Sequence, residues 1–161
     1  MKCYLIALST LLFTACDFRS EIKTSSKIRN GIELKTKGGL EVSQAFLLFD
    51  DGSLVPQSNQ VKINQYINLR LIIDKGWKSN NGKVSIGASE KISASTGEVA
   101  LNENDLFQHS GPLNEADAKG ITLKAVITRL DKLYDYFLVT FRVWDKHSDA
   151  EVSGSYKFYI Q

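Results

Sequence analysis

The segment WDKHSDAE sets Asp145, His147, Asp149 and Glu151 at alternate positions, so an extended loop points all four the same way. Such a set is the raw material of a cation site, since carboxylate oxygens suit calcium and an imidazole suits a transition metal. The mixture favours neither, and no glycine lies between Asp145 and Glu151 to make the sharp turn of a calcium loop. The expectation is a solvated hairpin loop without a metal. A Ser-His-Asp hydrolase would have to use His147 or His109, the latter in FQHSG, but no G-x-S-x-G elbow accompanies either. GKVSIGAS, from Gly82 to Ser89, has the glycine spacing of a phosphate loop. Ala88 stands where the lysine is needed, however, and a strand pattern runs where the helix must begin. What remains is aromatic. Trp144 and Tyr159 fall opposite the apolar stripes of their strands, and Trp77 follows a glycine at a strand end. Exposed aromatics of this kind stack on sugar rings or anchor a protein partner, whereas a buried one closes a sandwich edge.

The elements that carry these residues read as strands. Ile67, Leu69, Leu71 and Ile73 alternate with polar residues, as do Ile121, Leu123, Ala125 and Ile127. Phe137, Val139, Phe141 and Val143 repeat the pattern, and Val152, Tyr156, Phe158 and Ile160 share a face in the last run. Turn signals at Asp50–Gly52, Asn80–Gly82 and Ser95–Gly97 precede the short runs SLV, KVSI and EVAL. Single helical turns are expected around NENDLF and LNEADAKG. Eight or so short strands, two prolines and no long helix predict an all-β fold, an antiparallel two-sheet sandwich of Greek-key type. The closing pair of strands resembles the last two strands of many immunoglobulin-like extracellular domains. The disulfide and core tryptophan of antibody domains are missing, so transthyretin-like and jelly-roll arrangements stand beside that one.

The chain opens with Lys2 and an apolar run of 12 residues, Tyr4 to Ala15, too short for the roughly 20 that span a bilayer. A cleaved signal peptide, a short helix over residues 1–15, fits this pattern. LFTAC, ending at Cys16, resembles the lipobox of bacterial lipoproteins, with Thr14 and Ala15 at the small positions and Phe13 where leucine is usual. The resemblance implies cleavage between Ala15 and Cys16 and acylation of Cys16, the contact with membrane lipid; two or three acyl chains hold where one is marginal. Cys3 would leave with the signal, so no thiol remains for a disulfide. Asp17 resembles an inner-membrane retention signal used by some bacteria, although an outer-membrane or cell-surface address is favoured. Residues 16–39, polar and closed by two glycines, read as the lipidated cysteine and a flexible tether, and residues 40–161 as the sandwich domain. With 20 Lys and Arg against 18 Asp and Glu, net charge argues against a nucleic-acid partner. The sparse polar constellations lead to a non-catalytic binding or assembly module of the envelope, without a cofactor, whose partner is a protein or a glycan. An envelope hydrolase with a loop-built site and a purely structural envelope component are the alternatives.

Overall fold

The computed structural model describes residues 27–161, which form twelve strands and one 3-10 turn, Asp117–Lys119. In chain order the strands are β1 (Lys27–Ile28), β2 (Glu33–Lys37), β3 (Glu41–Leu48), β4 (Gln60–Val61), β5 (Ile67–Lys75) and β6 (Lys83–Val84). They continue with β7 (Ile86–Ala94), β8 (Val99–Glu103), β9 (Leu113–Asn114), β10 (Gly120–Ala125), β11 (Phe137–Asp145) and β12 (Glu151–Ile160). The smaller sheet has the order β1-β3-β5-β10 and the larger β2-β12-β11-β7-β8, with β4 pairing the far end of β12. All pairings are antiparallel except β1 with β3 and β4 with β12.

The alternating apolar residues explain the stacking. Ile67, Leu69, Leu71 and Ile73 on β5 are fully buried, and they share one core with Phe137, Val139, Phe141 and Val143 on β11 and with Val152, Tyr156 and Phe158 on β12. Each sheet hides its apolar face against the other, as period-two strands require. Turn chemistry sets the hairpins. Asn81 and Gly82 both have positive φ, 51° and 73°, and the flanking Asn80 and Lys83 exchange backbone bonds of 2.8 and 3.0 Å, the geometry of a two-residue hairpin turn.

Three expectations change. Residues 27–39, read as the end of a tether, lie inside the sheets: β2 pairs with β12 from Glu33↔Ser155 to Glu151↔Lys37, and Ile32 is buried. As an edge strand β2 exposes Lys35, Thr36 and Lys37, which is why it looked like a linker. NENDLF is not helical: Asn102 and Glu103 finish β8, and the Asp105 carboxylate then accepts the amides of Ala88 and Phe107. SLV contributes only a single bridge, Leu54 to Leu48. The expected signal helix, Ala15 and Cys16 lie outside the described residues.

One inward position breaks the apolar pattern. Glu90 on β7 is 1% exposed between Ala88 and Ile92, and neither of its oxygens has a hydrogen-bond partner among the described residues. Burial pushes its pKa up from 4.5 to about 7. The Tyr156 hydroxyl is equally buried and unpartnered; burial first, and then the Glu90 charge, raise its pKa.

Candidate binding groove

A break in one sheet edge builds a concavity. Along one side of β12, β2 occupies the edge as far as Ser155 and β4 takes over at Tyr159, so residues 156–158 have no strand beside them there. A groove of about 780 Å³ opens at this gap. Ser155, Lys157, Tyr159 and Leu138 form its floor, and Glu33 with the segment from Gln57 to Gln60 forms its wall.

Two buried asparagines hold the wall in place. Asn30 and Asn59 are 1% and 6% exposed, both at positive φ. The Asn30 Nδ2 donates to the carbonyls of Val55 and Pro56 at 3.1 Å and to Asn59 Oδ1 at 2.8 Å, while its Oδ1 accepts from the Leu47 amide at 3.2 Å. Asn59 Nδ2 donates to the Asn30 carbonyl at 2.8 Å and to the Lys157 carbonyl at 2.7 Å, across the gap. The Asn30 amide in turn donates to Gln57 Oε1 at 3.0 Å. This clasp joins the 29–32 turn, the 55–60 loop and β12, and it compensates the buried polar groups that the missing strand would otherwise leave open. Asn30 is followed by Gly31, also at positive φ, so the local signal was an Asn-Gly turn ahead of the alternating IELK.

Chemically the groove offers amides, hydroxyls, one exposed phenol, the Lys157 ammonium and the Glu33 carboxylate. The Lys157 Nζ sits 4.2 Å from the centre of the Tyr136 ring, and Tyr159 is 40% exposed. Side chains of this kind recognise hydroxyl-rich ligands: directional donors and acceptors with an aromatic surface for apolar ring faces.

Of the aromatic residues singled out, only Tyr159 lines this groove. Trp77 is half-buried and its indole N–H donates to the Ala118 carbonyl at 2.9 Å, so it closes a sandwich edge. Trp144 does face outward but is half-buried: its indole packs against Gly87, where any Cβ would overlap it, and the Arg142 guanidinium lies 4.8 Å from the ring centre.

The alternating acids do not converge. Asp145 turns inward, 2% exposed, and accepts the amides of Lys78 at 2.6 Å and His147 at 2.8 Å. Glu151 points to the outer face of the sheet and pairs with Arg142 and with Lys37 at 3.2 Å. The bond from Arg142 is the main reason its carboxyl titrates below the usual range, with Lys37 adding to it. His147 and Asp149 are exposed in the connecting turn, and His109 is exposed in another. Among the described residues no group of three or more histidines, cysteines and carboxylates is arranged to hold a metal ion. The physical reason is the strand itself: Asp145 still belongs to β11 and Glu151 already belongs to β12, so the pleat and the turn between them aim the two carboxylates at different faces.

Neither a protein-family model nor a curated protein matches the chain in sequence. Among solved structures, the crystal structure of the C-terminal domain of Wzt is similar, with a TM-score of 0.52 at 11% identity, over 83% of this chain and 80% of that one. At that identity the likeness is one of fold, a β-sandwich.

Proposed function

We propose that the chain is a lipid-anchored envelope protein whose sandwich is a non-catalytic binding module, taking a glycan in the groove between β2 and β4. The observation that carries this reading is the groove itself, a built concavity with amide, hydroxyl and phenol groups and a rigid clasp beneath its wall. Catalysis is not part of the proposal, because neither exposed histidine lies at this groove. The resemblance of LFTAC to a lipobox supports the anchor at Cys16, and an outer-membrane or cell-surface address is the one proposed.

The fold class is refined in the same spirit. Strands β3, β5 and β10 lie over β12, β11, β7 and β8. Taken as A, B and E over G, F, C and C′, they follow the strand order of an immunoglobulin-like Greek key. That order supports the finer assignment over the transthyretin-like and jelly-roll alternatives.

The groove is tested by equilibrium binding of the full chain to neutral and acidic polysaccharides. Tyr159→Ala and Gln60→Ala are expected to weaken binding roughly tenfold each, the usual cost of removing an aromatic or well-placed polar contact. Wild-type protein that binds none of them, or binding indifferent to both substitutions, would exclude the groove as a glycan site.

A further inference from the structure

The larger sheet presents its outer face on alternate residues, and cross-strand register fixes which ones these are. Lys37 and Lys35 on β2 lie beside Glu151 and Ser153 on β12; Arg142 and Thr140 on β11 lie beside Ser89 and Lys91 on β7. Lys157 faces outward on β12, next to Leu138. This face carries five cations, Lys35, Lys37, Lys91, Arg142 and Lys157, against two carboxylates, Glu33 and Glu151. Glu151 engages Lys37 and Arg142. Lys35, Lys91 and Lys157 are exposed and have no acidic partner within ion-pair distance among the described residues. On the smaller sheet Lys124 is matched by Asp50 at 3.0 Å and Lys75 by Glu41 at 2.9 Å, and Arg70 donates to the Thr122 hydroxyl at 2.8 Å.

Strand geometry spaces the three lysines. Lys157 is four residues along β12 from Ser153, the neighbour of Lys35, which separates those two lysines by about 14 Å. Two strand steps and two residues separate Lys157 from Lys91, about 12 Å. Between them lie the short side chains of Ser153, Ser155 and Thr140, with Leu138 beside Lys157 and the Glu33 carboxylate beside Ser155, so the floor is mostly low and hydroxyl-bearing and one acid interrupts the cations. Lys157 belongs both to this face and to the groove. We infer that the glycan bound at the groove is an acidic one, an extended chain carrying carboxylate or phosphate groups, which continues from the groove across this face and pairs with Lys157, Lys35 and Lys91. The inference rests on the glycan-binding reading of the groove and adds its charge and its length. An ammonium unmatched within the protein is available to a ligand anion, and spaced cations select a repeating polymer over a single small anion.

The test uses the full chain, with polygalacturonate and phosphomannan set against their neutral counterparts pullulan and mannan. The acidic polymers should bind at least tenfold more tightly than the neutral ones, with affinity falling steeply as sodium chloride is raised. The variant Lys35→Gln/Lys91→Gln/Lys157→Gln should lose roughly tenfold or more toward the acidic polymers with little change in melting temperature, since all three are exposed, none forms an ion pair among the described residues, and the Lys157–Tyr136 contact is a modest surface one. Neutral and acidic polymers bound equally, and equally by the triple variant, would overturn the inference while leaving the groove reading intact. No polysaccharide binding at all overturns both. A parallel arm with phosphatidylglycerol and phosphatidylcholine vesicles separates a membrane from a glycan: if the triple substitution lowers binding to anionic vesicles and polysaccharide binding is absent, the face is a lipid surface and the inference falls.

Discussion

At the scale of single residues, Glu90 is the side chain least at ease with its surroundings. It sits among Ala88, Ile92 and Phe141 with no partner for either oxygen, and the protonated form is favoured up to about pH 7. In the unfolded chain the same group ionises near 4.5, so protonation favours the folded state and that advantage is complete below 4.5. It is lost as the pH rises to about 7, costing about 3 kcal/mol over that range. Thermal melts of the wild-type protein between pH 4.5 and 7.5 should therefore fall steadily. In Glu90→Gln, which cannot ionise, this decline should disappear; a parallel decline in both proteins would mean that Glu90 is already satisfied. The paired carboxylates of Glu151, Asp50 and Glu98, whose pKa values are lowered by their hydrogen bonds to Arg142, Asn68 and Tyr134, act at the acid end and leave this window clear. The alternation of Ile86, Ala88, Ile92 and Ala94 already sets position 90 on the inward side, but nothing in the sequence shows that the acid there has no partner. Trp144 was legible in its direction and not in its half-burial, because the Gly87 and Arg142 beside its ring lie on a neighbouring strand and two residues away.

At the scale of elements, strands with a strict apolar alternation could be read directly, and those whose pairing is mostly polar could not. β5, β10, β11 and β12 carry their own evidence because each buries one complete face. β2 and β4 do not: they are short, lie at an edge and expose most of their side chains, so their place is decided by partners far along the chain. The groove inherits that illegibility, because these two elements and the clasp between them frame it above a floor of β11 and β12. A fragment starting at Leu40 would remove β1, β2 and Asn30. It would strand the carbonyls of Val55 and Pro56, the amide of Leu47 and the side chain of Asn59. Each orphaned buried group costs about 1–3 kcal/mol, which together approaches the whole stability of a domain. Residues 40–161 should therefore fail to give a cooperative melt by circular dichroism where residues 27–161 give one. A cooperative melt of equal midpoint from the shorter fragment would show that the clasp contributes little.

At the scale of the whole molecule, the attachment and the binding surface are separate questions. Cys16→Ser should abolish incorporation of labelled palmitate and move the protein from the membrane to the soluble fraction, whereas continued labelling would place the acyl chain elsewhere. No helix among the described residues is long and apolar enough to cross a membrane. From Cys16 to Lys27 the chain can reach at most about 40 Å when fully extended, so the lipid proposed at Cys16 would keep the sandwich close to its membrane. Lys27 also begins β1, whose two residues pair with β3, and three residues later the chain enters the Asn30 clasp. Under the anchor proposed at Cys16, this would make the clasp a mechanical part. A pull between the membrane and a ligand in the groove runs through two rungs of β1 and then through the asparagines that shape the wall. With the proposed anchor, tension arriving from Cys16 would meet the clasp and the groove wall before it reaches the apolar core.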